Sequence, residues 1–183
     1  MSSLKIIQPW LPNAAGLSQR RFWNGFGFLM CAGCLGFAFF AQFYLGLQPC
    51  PLCILQRLVL AVLAGVFLIA ALQQPSDWIA RGYSIIIGLV AGLGAAIAAR
   101  HVWLQHLPPE EAPRCGPGLN YLLETLPLSD LVREVLTGSG ECAEVGWTLL
   151  GLSMPAWSLL TFLGVGVWGV VNNWRRRVPF LTV

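Results

Sequence analysis

Charge is what this sequence has least of. Only 10% of its 183 residues are Asp, Glu, Lys or Arg, against 56% hydrophobic, with a mean hydropathy of +0.68. A water-soluble domain of this size could not hide so much apolar surface in one core, so the composition excludes an ordinary soluble fold and points to the membrane. Internal repeats and low-complexity tracts are also missing, which sets aside solenoids and disordered tails. Acid is scarcer still outside one stretch: seven of the eight acidic residues (Glu110, Glu111, Glu124, Asp130, Glu134, Glu141 and Glu144) lie between the third and fourth apolar segments.

Four stretches are apolar and long enough to cross roughly 30 Å of hydrocarbon as helices: about Phe22 to Leu47, Ile54 to Leu72, Gly82 to Ala99, and Pro155 to Val171. Gln48 and Pro49, then Pro75, then Pro108 and Pro109 punctuate the gaps. The fold class expected is an all-α membrane protein, a four-transmembrane-helix bundle. It divides into a tail over 1–21, a membrane domain over 22–174 with a long loop at about 101–154, and a second tail over 175–183. Lys5, Arg20, Arg21, Arg81, Arg175, Arg176 and Arg177 all fall at one end of these spans, whereas the long loop holds Arg114 and Arg133 amid its acids. Basic residues favour the cytoplasm, so both termini are expected inside a bacterial inner membrane and the loop in the periplasm. Orientation accounts for the basic residues, leaving nothing that suggests nucleic-acid binding. Cys31-Ala-Gly-Cys34 faintly resembles a lipoprotein cleavage box, but the apolar run continues well past it, so the first span reads as a membrane helix rather than a cleaved leader.

This topology sorts the six cysteines. Cys50 and Cys53 follow the first span on the outer side, in Pro49-Cys50-Pro51-Leu52-Cys53, with Pro51 suited to open the second helix. A helix start stabilises a thiolate, and C-x-x-C spacing lets two sulfurs meet. Cys31 and Cys34 have the same spacing deep in the first span, where no soluble partner enters, and read as packing residues. Cys115 and Cys142 lie in the outer loop, flanked by Gly116, Pro117, Gly118 and by Gly138 and Gly140, which should leave both mobile. A static staple would explain them alone. Two outer pairs on one face suit a relay of thiol exchanges better.

Arg57 lies four residues after Cys53, on the same helix face and about a turn deeper. A guanidinium inside a span is costly and marks a functional site unless it snorkels to the interface. Here it would steady a thiolate and negative charge on an electron acceptor. Arg100, His101, Gln105 and His106, at the outer end of the third span, could face Arg57 and line a head-group pocket. Between the loop cysteines, apolar residues from Leu119 to Leu136 recur at roughly helical spacing, suggesting short surface helices or an ordinary packed loop.

These features together resemble the DsbB family of disulfide bond formation proteins, over nearly the whole chain after the N-terminal tail. The resemblance is carried by Gln48-Pro-Cys-Pro-Leu-Cys-Ile-Leu-Gln-Arg57, by Ser139-Gly-Glu-Cys-Ala-Glu144, by Trp147, and by Gly151-Leu-Ser-Met-Pro-Ala-Trp157. It implies a protein-dithiol:quinone oxidoreductase that reoxidises the periplasmic oxidase DsbA and delivers the electrons to ubiquinone or menaquinone. By position, Cys115 matches the cysteine that forms the mixed disulfide with DsbA. Cys142 matches its loop partner, which exchanges with Cys50, and Cys53 the residue in direct contact with the quinone. Arg57 matches the quinone-site arginine, and His101, Gln105 and Gln42 match polar positions near that site. The tract before Cys115 differs in length from the family pattern, so His101 and Gln105 can slip by one. Such chemistry needs no metal or flavin. Other readings are a paralogue serving a specialised partner, an inert stapled subunit, and a zinc site of Cys50, Cys53, Cys115 and Cys142, for which the spacing is poor.

Overall fold

A computed structural model describes residues 14–73, 75–108, 127, 130, 140–143 and 145–174. Among them are four helices long and apolar enough to cross a membrane: α1 (Ala14–Tyr44), α2 (Pro51–Gln73), α3 (Asp77–Leu104) and α4 (Met154–Trp174). The shortest, at 21 residues, is about 31 Å long, enough for the hydrocarbon layer. Much of each helix is not buried in the protein. Leu58, Leu89, Leu93 and Val167 are exposed, as expected of faces whose solvent is lipid.

The interior is narrow and closely packed. Phe67 of α2 and Phe162 of α4 are fully buried, and glycines make room for them. A Cβ on Gly94 of α3 would stand 2.3 Å from the Phe162 ring, so α3 and α4 meet through a bare backbone. Small residues at such crossings let helices gain dispersion contact where lipid gives no hydrophobic drive. At the end where α1 begins and α4 finishes, Asn24 and Asn173 are buried and donate to each other reciprocally, at 3.2 and 2.9 Å. Beside them Arg20 pairs with Asp77 at 2.6 Å and donates to the Pro75 carbonyl, tying α1 to the α2–α3 link.

Several boundaries differ from the hydropathy reading. The first helix starts at Ala14, inside the expected tail, and stops at Tyr44 rather than Leu47. Gly46 takes a positive φ of 68°, and the Leu47 N–H turns back to the Ala41 carbonyl at 3.2 Å. The third helix runs from Asp77 to Leu104, not Gly82 to Ala99, so His101 sits in its last turn and not in the loop. Ahead of α4, β1 (Thr148–Leu149) and β2 (Leu152–Ser153) form an antiparallel hairpin that the sequence reading did not foresee. Its turn residues Leu150 and Gly151 both have positive φ, 54° and 79°, the backbone twist that suits a two-residue connection. The expected surface helices between Leu119 and Leu136 lie outside the described residues except at Pro127 and Asp130, where the Asp130 N–H donates to the Pro127 carbonyl at 3.0 Å.

Candidate active site

Helix α2 opens directly on the first cysteine pair. The Cys50 carbonyl accepts the first helical bond, from Ile54 at 3.2 Å, which makes Cys50 the N-cap residue, Pro51 the first helical residue and Cys53 the third. The two sulfurs lie 3.3 Å apart. Both sit at the end of α2 where the first helix N–H groups have no partner within the helix.

His101 reaches across from the last turn of α3. Its Nε2 is 3.7 Å from the Cys50 sulfur, and its Nδ1 is 4.0 Å from that of Cys53. Gln56, buried on α2, places its Nε2 3.1 Å from the same Nδ1. Gln56 donating to Nδ1 leaves Nε2 to carry the proton toward Cys50, and the same amide turned over sets the opposite tautomer. The histidine is thus fixed between the sulfur pair and an amide, and can hold or release a proton beside Cys50.

Cys142 closes the group from the loop. It ends a 3₁₀ turn over Gly140–Cys142, with the Ala143 N–H donating to the Gly140 carbonyl at 3.0 Å. Its sulfur, the Cys50 sulfur and a His101 nitrogen all lie within 4.8 Å of one another. All three residues are buried: Cys142 is 0%, His101 2% and Cys50 7% exposed. Cys142, expected on a mobile loop, is found buried, packed by its turn against the helix ends. Cys115, its expected loop partner, lies outside the described residues.

A cavity of about 380 Å³ adjoins Cys53. Its walls include Cys34, Phe37 and Ala38 of α1, Cys53, Gln56 and Arg57 of α2, Trp147 and Leu149 near the hairpin, and Trp157, Thr161 and Phe162 of α4. The sequence had set the outer end of α3 opposite Arg57. Instead α1, the hairpin and α4 supply that wall, while Arg100 lies over the Trp103 ring and His106 bonds the Val102 carbonyl. Arg57 is held from α1: it donates to Gln42 Oε1 and, at 3.1 Å, to the Ala38 carbonyl, with its guanidinium 5.5 Å from the Phe39 ring centre. Two donors are so engaged, and the others remain for an acceptor in the cavity. Gln105 is placed elsewhere, accepting from Ser153 Oγ at 2.6 Å and tying the hairpin to the end of α3. Cys34, read as a packing residue, stands in the cavity wall, whereas Cys31 is fully buried in the core.

Gln56, Trp147 and Cys34 escaped the sequence reading as site residues. Gln56 carried a usable signal, standing three residues after Cys53 and so on the same helix face. Trp147 and Cys34 reach the cavity only through packing between distant segments.

The family model described as "Disulfide bond formation protein DsbB" matches residues 20–172. The chain belongs to the DsbB family. Among similar curated proteins, each named "Disulfide bond formation protein B", that of Methylococcus capsulatus is 51% identical over 151 residues, covering 82% of this chain and 92% of the relative. That of Nitrosococcus oceani is 48% identical over 149 residues, covering 81% and 86%. That of Chromohalobacter salexigens is 54% identical over 137 residues, covering 74% and 80%. For a DsbB-family chain, a sulfur pair at a helix start with a third sulfur against it is an arrangement suited to forming disulfides by exchange.

Proposed function

We propose that this DsbB-family chain is a bacterial inner-membrane protein-dithiol:quinone oxidoreductase that reoxidises a periplasmic DsbA-like thiol oxidase. The observation that carries it is the placement of Cys53, which faces Cys50 at 3.3 Å on one side and lines the cavity beside Arg57 on the other. A sulfur so placed can take part in disulfide exchange and also touch a membrane-soluble acceptor.

The cavity suits a quinone head group. Its volume falls in the range of small-molecule sites, and its walls are apolar and aromatic with a few polar groups, among them Arg57, Gln56 and Thr161. Arg57 would donate to a head-group oxygen. A bound quinone supplies a two-electron, two-proton acceptor, so one turnover oxidises one partner dithiol to a disulfide.

The cycle starts from an oxidised form in which Cys115 is joined to Cys142 and Cys50 to Cys53; in the structure the Cys50 and Cys53 sulfurs are unbonded, 3.3 Å apart. A partner thiolate attacks the Cys115 sulfur, Cys142 leaves as a thiolate, and the partner's second thiolate then releases Cys115. Cys142 attacks Cys50, breaking Cys50–Cys53 and leaving Cys53 as the thiolate next to the cavity. Cys115 attacks Cys142, remakes the loop disulfide and frees Cys50. His101 holds the proton beside Cys50 until Cys50 and Cys53 rejoin, and that step yields two electrons. The basic residues at the opposite end support a topology with both termini in the cytoplasm and this site at the periplasmic face. A DsbA-like partner lies near −120 mV, so an acceptor of higher potential is required, which a membrane quinone provides.

Purified protein supplied with reduced partner and quinone tests the reading. Cys53→Ser should abolish quinone reduction, and normal turnover in that variant would refute the assignment.

A further inference from the structure

The sulfurs and the imidazole converge more tightly than an exchange relay by itself demands. Relay cysteines need to meet two at a time. Here Cys50, His101 and Cys142 present three ligand atoms within 4.8 Å of one another, all buried, with the Cys53 sulfur 3.3 Å from that of Cys50. In a tetrahedral zinc site, with Zn–S near 2.3 Å and Zn–N near 2.0–2.1 Å, neighbouring ligand atoms stand roughly 3.5–3.8 Å apart. The Cys50 sulfur to His101 Nε2 distance is 3.7 Å. Only a small contraction on Cys142 would complete the set.

We propose that the fully reduced form of this cluster binds Zn²⁺, or a cation of the same borderline-soft class, through Cys50, Cys142 and His101 Nε2, with Cys53 adjacent to fill the fourth position, and that binding arrests turnover. The ligand set differs from the four-cysteine site considered from sequence, because His101 stands where Cys115 was expected to serve. The chemistry suits the metal: thiolates and imidazole are its preferred donors, and burial shields the site from water. Gln56 supplies the supporting contact. When Nε2 carries the metal, Nδ1 must carry the proton, and the Gln56 amide, turned over, accepts it through Oε1.

Binding involves no electron transfer. Cys50 and Cys142 each lose a thiol proton to solvent, and a third is lost if Cys53 joins. Both sulfurs that must exchange are then held as metal thiolates, and Cys50 cannot rejoin Cys53 until the ion leaves. Formation of either disulfide removes ligands and excludes the ion, so the site exists only when electrons have accumulated on the protein. The arrest rests on the electron path proposed above, while the binding does not.

The test uses the full chain in detergent or nanodiscs, with all cysteines reduced, no quinone and no partner. Zn²⁺ is titrated against a chromophoric chelator. The expected result is one ion bound per reduced protein and none per oxidised protein, with affinity unchanged in Cys115→Ser. In Cys142→Ser and His101→Ala it should fall by more than the roughly 10–100-fold that loss of a supporting contact costs. X-ray absorption at the zinc edge of the unaltered protein should show one nitrogen with two or three sulfurs. Absence of binding, an all-sulfur shell, or binding indifferent to both His101→Ala and Cys142→Ser would overturn the proposal. Quinone reduction, measured separately, stands or falls independently of these results.

Discussion

Arg57 illustrates what a single residue contributes. Gln42 and the Ala38 carbonyl fix two of its donors, so the guanidinium arrives at the cavity already oriented. Arg57→Ala should raise the apparent KM for quinone about 10- to 100-fold, the worth of a charge-assisted hydrogen bond, while the KM for the reduced partner stays put. Quinone titrations at saturating partner measure this directly, and unchanged quinone kinetics would count against the pocket. Gln42→Ala removes only the support and should act in the same direction but less. At this scale the sequence was readable where partners share a helix. Cys53 and Arg57 announce their common face by spacing. His101 does not announce its contact with Cys50 and Gln56, because that contact is set by the packing of α3 on α2 between residues 45 to 51 positions apart in sequence.

At the scale of elements, the four helices were legible from hydropathy alone, and their ends were not. Helix α1 stops where Gly46 reverses the chain, and α3 continues past Ala99 because Arg100 and His101 are still good enough helix residues to reach Leu104. The hairpin was invisible because its turn is Leu150-Gly151, not the Asn-Gly or Asp-Gly that usually marks such a connection. Leu150 is 86% exposed in a left-handed conformation that disfavours a side chain. Leu150→Gly should therefore raise stability by about 1 kcal/mol, seen as a higher Tm in detergent. The converse case is Gly94, where the Phe162 ring occupies the place of a Cβ. Gly94→Ala should cost about 1–3 kcal/mol by overpacking and lower Tm in detergent.

Across the whole molecule, the two ends of the bundle do different work. The end holding buried Asn24, Asn173 and Arg20, with exposed Asp77 paired to Arg20, is a polar clamp joining the first and last helices at the opposite end from the sulfurs. Asn173→Ala should destabilise the bundle by about 1 kcal/mol, the usual worth of a hydrogen bond between membrane helices, and leave the quinone KM unchanged. The other end carries the proposed chemistry, and its organisation depends on a loop segment folding back onto the start of α2 and the end of α3. Span count and the sorting of cysteines to one end follow from hydropathy and charge. That Cys142 lies buried against Cys50 does not, since it depends on a 3₁₀ turn and on how the loop docks.

The contact between these two sulfurs is what the electron path requires, and it can be trapped. In a Cys53→Ser, Cys115→Ser double variant, Cys50 and Cys142 have lost their other exchange partners. Mild oxidation followed by alkylation and peptide mass mapping should then find Cys50 joined to Cys142 by a disulfide in most molecules. Recovery of Cys50 and Cys142 as separately alkylated thiols would contradict the proposed path.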